Sequence, residues 1–210
     1  MFYKFLFFFL IYSGCLYSQT NNPITTQSIS ESNLACNTID TLFFDLGDTI
    51  IESNGNGMFQ LRSGVSEMIE TLVLREINLG IITNVPSDWV IGDLEDILID
   101  PSFLKDFEVV VLSSLSPSAK PDPAIYNFAY SLLSNPPSIE QVIFVTESLD
   151  HIANLEVNPT LGARSVGMLG IHLSDLTPSP LTNYTIASDD FQAIINILND
   201  LLFCDGFEAN

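Results

Sequence analysis

The chain has 210 residues, 47% of them hydrophobic and 15% charged, enough for one core-bearing domain of ordinary size. Acids outnumber bases 26 to 6, for a formal charge of −20. That balance repels nucleic acid and anionic membrane surfaces. It leaves phosphate binding only to a pocket where a cation and a few donors are focused.

The N-terminus, "MFYKFLFFFLIYSGCLYSQT", carries one early cation, Lys4, and then an apolar run. The run falls short of the roughly 20 residues that span a bilayer, so residues 1–18 read as a secretory signal peptide. The expectation is export, to the periplasm, the medium or the cell surface. "YSGC" is similar to a lipoprotein cleavage box, which would put a lipid anchor on Cys15, although Tyr12 stands where an aliphatic residue is usual. Cleavage after Ser18 is the rival, and a retained membrane anchor a third alternative. Residues 19–38 are polar and aperiodic and read as a flexible linker. Residues 39–204 form the domain, and 205–210 a tail. Cys36 and Cys204 flank the domain, and a disulfide between them is the expectation that follows from export.

Within the domain, strand and helix patterns alternate. "TLFFDL" is an apolar run of strand length. "SGVSEMIETLVL" places Val65, Met68, Ile69 and Leu72 at helical spacing, with Ser63 as the expected N-cap. "LGIIT" is a second strand. "SDWVIGDLEDILI" reads as a helix capped by Ser87, and "FEVVVLSS" as a third strand. "PDPAIYNFAYSLL" opens with Asp122 as N-cap and Pro123 in the first turn, and predicts a buried face of Ile125, Phe128, Ala129 and Leu132. "QVIFVT" is the fourth strand, "RSVGML" the fifth, and "SDDFQAIINILNDLL" a closing amphipathic helix. The pattern predicts an α/β fold: a doubly wound, mainly parallel five-stranded sheet with helices on both faces.

In such folds ligands gather beyond the carboxyl ends of the strands. Those ends carry Asp45 and Asp48, then Thr83 and Asn84, then Ser113 and Ser114 with Lys120 soon after, then Glu147, Asp150 and His151. Any one of them has a structural explanation, as a cap, a strand-end hydroxyl or a solvated cation. The ordered set does not. With "FFDLGDTI", "LGIITN", "SSLSPSAKPDPAIYNFA" and "VIFVTESLDHI" in this order, the chain resembles the haloacid dehalogenase-like hydrolase superfamily over residues 41 to 170. The resemblance implies a Rossmann-like core and phosphate-ester hydrolysis through an aspartyl-phosphate at Asp45. It implies that Thr83 holds the phosphoryl oxygens with Asn84 nearby, and that Lys120 neutralises charge. It also implies Mg²⁺ held by Asp45, the Gly47 carbonyl and Glu147. The implied partner is a phosphorylated small molecule or an exposed phosphoryl group.

Three positions depart from the family's pattern. Gly47 stands where a second Asp usually protonates the leaving group and activates water; such a group is worth about 10²–10⁴ in rate. Glu147 replaces an Asp, and Mg²⁺ demands near-octahedral oxygen geometry. His151 falls where a further Asp is expected, with Asp150 beside it as the candidate to compensate in metal binding. The alternative to hydrolysis is a catalytically degenerate protein that keeps the fold as a binding module. The stretches between the motifs are too short for a large cap, so the site is expected to be open. His172 stands apart from the motifs and reads as a structural histidine.

Overall fold

The computed structural model describes residues 38–153, 160–175 and 182–202. The signal peptide, the linker before residue 38, the tail, the Cys15 anchor and the Cys36–Cys204 disulfide lie outside the described residues.

Strand β1 is Thr41–Phe44, fully buried along its length. A short antiparallel hairpin follows, β2 (Ile51–Ser53) and β3 (Phe59–Leu61), turning through Gly55 and Gly57 at positive φ. Helix α1 (Val65–Leu74) buries Val65, Met68, Ile69 and Leu72, as the spacing predicts. Its N-cap is Gly64, in the left-handed conformation, rather than Ser63. After β4 (Asn78–Thr83), helix α2 (Ile91–Ile97) starts later than expected. Residues 86–89 instead form a turn closed by the Trp89 N–H on the Pro86 carbonyl, and Asp93 rather than Ser87 accepts the first free N–H, from Val90 at 2.7 Å.

Strand β5 (Val109–Leu112) leads to α3 (Pro123–Ser131), where Asp122 accepts the Ala124 N–H at 2.8 Å as expected of an N-cap. The buried face of α3 is Ile125, Tyr126 and Ala129; Phe128 is half-buried and Leu132 is exposed at the helix end. Strand β6 is Val142–Thr146, and α4 (Leu149–Ile152) is a single turn. The expected fifth strand, "RSVGML", is displaced. Residues Ala163–Val166 form a 3-10 turn ended by Gly167 at φ 99°, and β7 runs Leu169–Leu173. A three-residue β8 (Tyr184–Ile186) and α5 (Phe191–Leu202) complete the domain.

The main sheet therefore has six strands among the described residues rather than five, in the order β5-β4-β1-β6-β7-β8, all parallel. Alternation along β1 sends Leu42 and Phe44 into the core beneath α1, α2 and α5, and Phe43 into the second core beneath α3 and α4. The chain leaves β1 on one side for β4 and β5 and returns on the other at β6. The reversal of direction falls between β1 and β6, where an open α/β sheet gathers ligands. Between Asp45 and Thr83 lie only the hairpin and α1, so no inserted domain covers this edge.

Two glycines make a contrast. Gly80 of β4 lies beside Phe43, and a Cβ there would run into the Phe43 ring; at Gly47 a Cβ would meet nothing within 4 Å. Gly80→Ala is expected to cost about 1–3 kcal/mol by overpacking, and Gly47→Ala almost nothing. Urea midpoints of the two variants measure the contrast.

Candidate active site

Asp45 leaves the end of β1 with only 5% of its surface exposed. Its N–H donates to the Val145 carbonyl at 2.8 Å, so the β1–β6 ladder sets its backbone. Four donors meet the carboxylate. Oδ1 accepts the Leu46 N–H at 2.7 Å. Oδ2 faces the Lys120 ammonium in an ion pair, His151 Nδ1 at 3.1 Å and the Thr146 hydroxyl at 3.2 Å. A carboxylate only accepts, so His151 Nδ1 carries a proton.

Burial alone would raise the Asp45 pKa. The hydrogen bond from His151 and the charge of Lys120 outweigh that and hold the carboxyl below its ordinary value. Burial pushes the Lys120 ammonium down, and Asp45 works against the shift. We take both as ionised, because neutralising one partner would leave the other charge buried without compensation. The ammonium lies 5.5 Å over the Phe144 ring. Apart from Asp45, its donors have no hydrogen-bonding partner among the described residues.

Lys120 is held in place through its backbone. Asn84 donates from Nδ2 to the Lys120 carbonyl at 3.0 Å and accepts the Lys120 N–H on Oδ1 at 2.9 Å. Asn84, expected near the substrate, is therefore a positioning residue for the lysine. The two serines ending β5 work on the same loop. Ser113 Oγ accepts the Val85 N–H at 2.9 Å, and Ser114 Oγ donates to the Trp89 carbonyl at 2.6 Å. Thr83, buried at the end of β4, lines the same hollow as Gly47 and Asn84.

Glu147 lies on the other side of Asp45. Its Oε2 accepts the hydroxyl of Thr49, and its N–H donates to Thr49 Oγ1 at 3.2 Å. Its carbonyl accepts His172 Nε2 at 3.0 Å, so His172 pins the loop as a structural residue. Thr146 Oγ1 sits between the two carboxylates, 3.2 Å from Asp45 Oδ2 and from Glu147 Oε2. Asp150 is exposed, and the structure does not bring it to the cluster; its neighbour His151 turns inward instead. Tyr126, fully buried and edge-on to Phe144, donates its hydroxyl to the His151 carbonyl at 2.7 Å. Burial pushes the Tyr126 phenol up, which keeps its proton in place for that bond. Asp48 is exposed, at φ 56°, and the Arg62 guanidinium holds its carbonyl.

Mg²⁺ asks for an octahedron of oxygens. Here Asp45 Oδ2 faces an ammonium and an imidazole N–H, Glu147 Oε2 accepts the Thr49 hydroxyl, and the one Thr146 hydroxyl proton is shared between the two carboxylates. No group of three His, Cys, Asp or Glu side chains among the described residues is placed to hold an ion. As arranged, Asp45 Oδ2 and Glu147 Oε2 turn toward protein donors rather than toward a shared ion position. Thr49, Thr146 and Tyr126 lie outside the sequence-predicted set. Their signal was weak, because buried hydroxyls next to apolar strands look like ordinary core residues.

An all-parallel α/β domain with a buried Asp–Lys pair at its strand-order reversal defines a hydrolase-type core built around a strand-end carboxylate. The family model of the haloacid dehalogenase-like hydrolases matches residues 18–153, and the chain belongs to that family. No curated protein matches the chain. Among solved structures it is similar to a haloacid dehalogenase-superfamily hydrolase of Ehrlichia chaffeensis (TM-score 0.57, 15% identity, 77% of this chain and 97% of that one). It is similar to the putative hydrolase YfnB of Bacillus subtilis bound to magnesium (TM-score 0.52, 21% identity, 66% of this chain and 56% of that one). It is also similar to CbbY of Rhodobacter sphaeroides in complex with phosphate (TM-score 0.54, 13% identity, 72% and 96%). At these identities the likeness is one of fold.

Two outcomes are expected. Asn84→Ala removes both bonds to the Lys120 backbone and lowers stability by about 1–3 kcal/mol, read by urea denaturation. The lowered carboxyl of Asp45 contributes stability that is complete above its unfolded value and lost as pH falls through its folded value. The midpoint gap between wild type and Asp45→Asn therefore narrows on acidification; a gap independent of pH would contradict the ionised pair.

Proposed function

We propose that this chain hydrolyses phosphate monoesters through Asp45, with slow turnover and without a metal. The observation that carries the proposal is the buried Asp45–Lys120 pair, a carboxylate at a strand end beside an ammonium. In the first step an Asp45 carboxylate oxygen attacks phosphorus. The bond from phosphorus to the ester oxygen breaks, and that oxygen leaves with the electron pair. Lys120 lowers the repulsion between carboxylate and phosphoryl group, and the Thr83 hydroxyl donates to a phosphoryl oxygen. In the second step water attacks the aspartyl-phosphate, releasing phosphate and restoring Asp45; the water's proton passes to solvent.

No side chain at position 47 shuttles protons in either step, which limits both. Magnesium, expected from the family's pattern, is left out of both steps in this reading because Asp45 Oδ2 and Glu147 Oε2 already accept from protein donors. Phosphate is also the ligand of the Rhodobacter neighbour. Export, inferred from residues 1–18, would place this activity outside the cytoplasm. Gly47 also supports the second reading, a binding module that holds phosphoryl groups without turning them over.

Hydrolysis of an aryl phosphate tests the proposal. Asp45→Asn is expected to abolish turnover, and chelator to leave the wild-type rate unchanged. Gly47→Asp, whose Cβ has open space, is expected to raise the rate by about 10²–10⁴. A Mg²⁺-dependent wild-type rate would overturn the metal-free step. Phosphate binding with no turnover would assign the binding module instead.

A further inference from the structure

A pocket of about 180 Å³ opens directly beside the catalytic edge, and none of the steps above uses it. Leu46 and Gly47, the two residues after Asp45, and Thr83 at the end of β4 line it, so it lies next to the strand ends of the site. Val85 and Trp89 form one wall, on the loop that Asn84, Ser113 and Ser114 tie to Lys120 and β5. Phe59 of the hairpin closes the opposite side, and its carbonyl accepts the Ile99 N–H at 2.9 Å. Leu94 of α2, 1% exposed, also lines it. Both walls are held by hydrogen bonds, so the pocket is formed without any closing motion.

The size suits a ring. An apolar cavity of about 150 Å³ is enough to take benzene, so this pocket has room for an aromatic ring. The chemistry selects in the same direction. With no side chain at position 47, a leaving group departs as an anion and must be stable as one. A phenol ionises near 10, as tyrosine does, whereas an ordinary alkoxide resembles hydroxide, whose parent acid, water, ionises only at far higher pH. An aryl ester therefore loses far less than an alkyl ester when the general acid is missing.

From these two observations, ring-sized apolar volume and absent general acid, we infer that the pocket beside Gly47 is a leaving-group site for aryl phosphate monoesters. The inference rests on the phosphoryl-transfer reading of Asp45 given above. The aryl group enters the pocket between Trp89 and Phe59 while the phosphoryl group meets Asp45 and Lys120. Attack by Asp45 breaks the bond between phosphorus and the aryl oxygen. The phenolate leaves with the electron pair and is protonated by solvent. The ring can belong to a free aryl ester or to a phosphotyrosyl side chain, which share this chemistry.

Non-hydrolysable phosphonates test the inference on the full chain. Trp89 is the chain's single tryptophan and half-buried in the pocket wall, so its emission reports on occupancy. Phenylphosphonate is expected to bind at least about tenfold more tightly than methylphosphonate, and to change Trp89 emission where methylphosphonate does not. Calorimetry on Val85→Asp, with Phe59→Ala as a second variant, is expected to erase that preference and retain methylphosphonate binding. Comparing phenyl phosphate with a phosphotyrosyl peptide separates the two sources of the ring; the better substrate identifies the source. Equal binding of the two phosphonates to the wild type would overturn the aryl site and leave the phosphoryl reading intact. Failure of both to bind would overturn the phosphoryl reading itself, and the aryl site with it.

Discussion

The buried ion pair between Asp45 and Lys120 is the constraint around which the rest of the domain is arranged. Moving a carboxylate and an ammonium out of water costs several kcal/mol each, and their attraction offsets this only in good geometry with further hydrogen bonds. The structure supplies both. β1 and β6 are adjacent, so the Asp45 N–H is held by Val145 and its carboxylate reaches Thr146. Asn84, from the end of β4, grips both backbone groups of Lys120. Tyr126, on the buried face of α3, holds the carbonyl of His151, whose ring meets the same carboxylate oxygen as the lysine. Four elements thus converge on one carboxylate, and each contributes through a group that is itself held.

The residues that depart from the family's pattern change the chemistry of this centre without dismantling it. Gly47 leaves space where a proton carrier would stand, and that space joins an apolar hollow. His151 brings an N–H to Asp45 where a carboxylate is expected, so the charge facing Oδ2 comes from side chains. Glu147, one methylene longer than the expected Asp, folds back onto Thr49 and Thr146. The changes are consistent with one another. A site that gathers its positive charge from Lys120 and an imidazole N–H has less use for a third acid, and a substrate with an acidic leaving group has less use for a general acid.

Asp45 and its strand were legible in the sequence because "TLFF" is an apolar run of strand length and its closing acid is the first of an ordered set at the strand ends. The lysine and the helix after it were legible because Asp122 and Pro123 mark a helix start. The register of β7 was not. Its sequence, "LGIHL", is interrupted by Gly170 and His172, and the two glycines before it, Gly162 and Gly167, make a 3-10 turn where a strand was expected. Strand β8, three residues long, carries too little pattern to see. Within the site the strand-end positions were legible and the hydrogen bonds were not. The side chains of Asn84, Ser113 and Ser114 bond to the backbone of Lys120, Val85 and Trp89. Those bonds depend on which way a short polar side chain turns, and spacing does not encode it. The inward turn of His151 in place of Asp150 is a matter of one residue's phase on a single helical turn.

The central claim, that Asp45 is the nucleophile of a site lacking its proton carrier, makes the phosphorylated enzyme the species that should accumulate. Mass spectrometry of the chain after brief incubation with an aryl phosphate in chelator, followed by rapid acid quench, measures this directly. The account expects a phosphoryl group on the peptide bearing Asp45, at a substantial fraction of the protein and absent from Asp45→Asn. Turnover with no such adduct, or an adduct on any other residue, would contradict it.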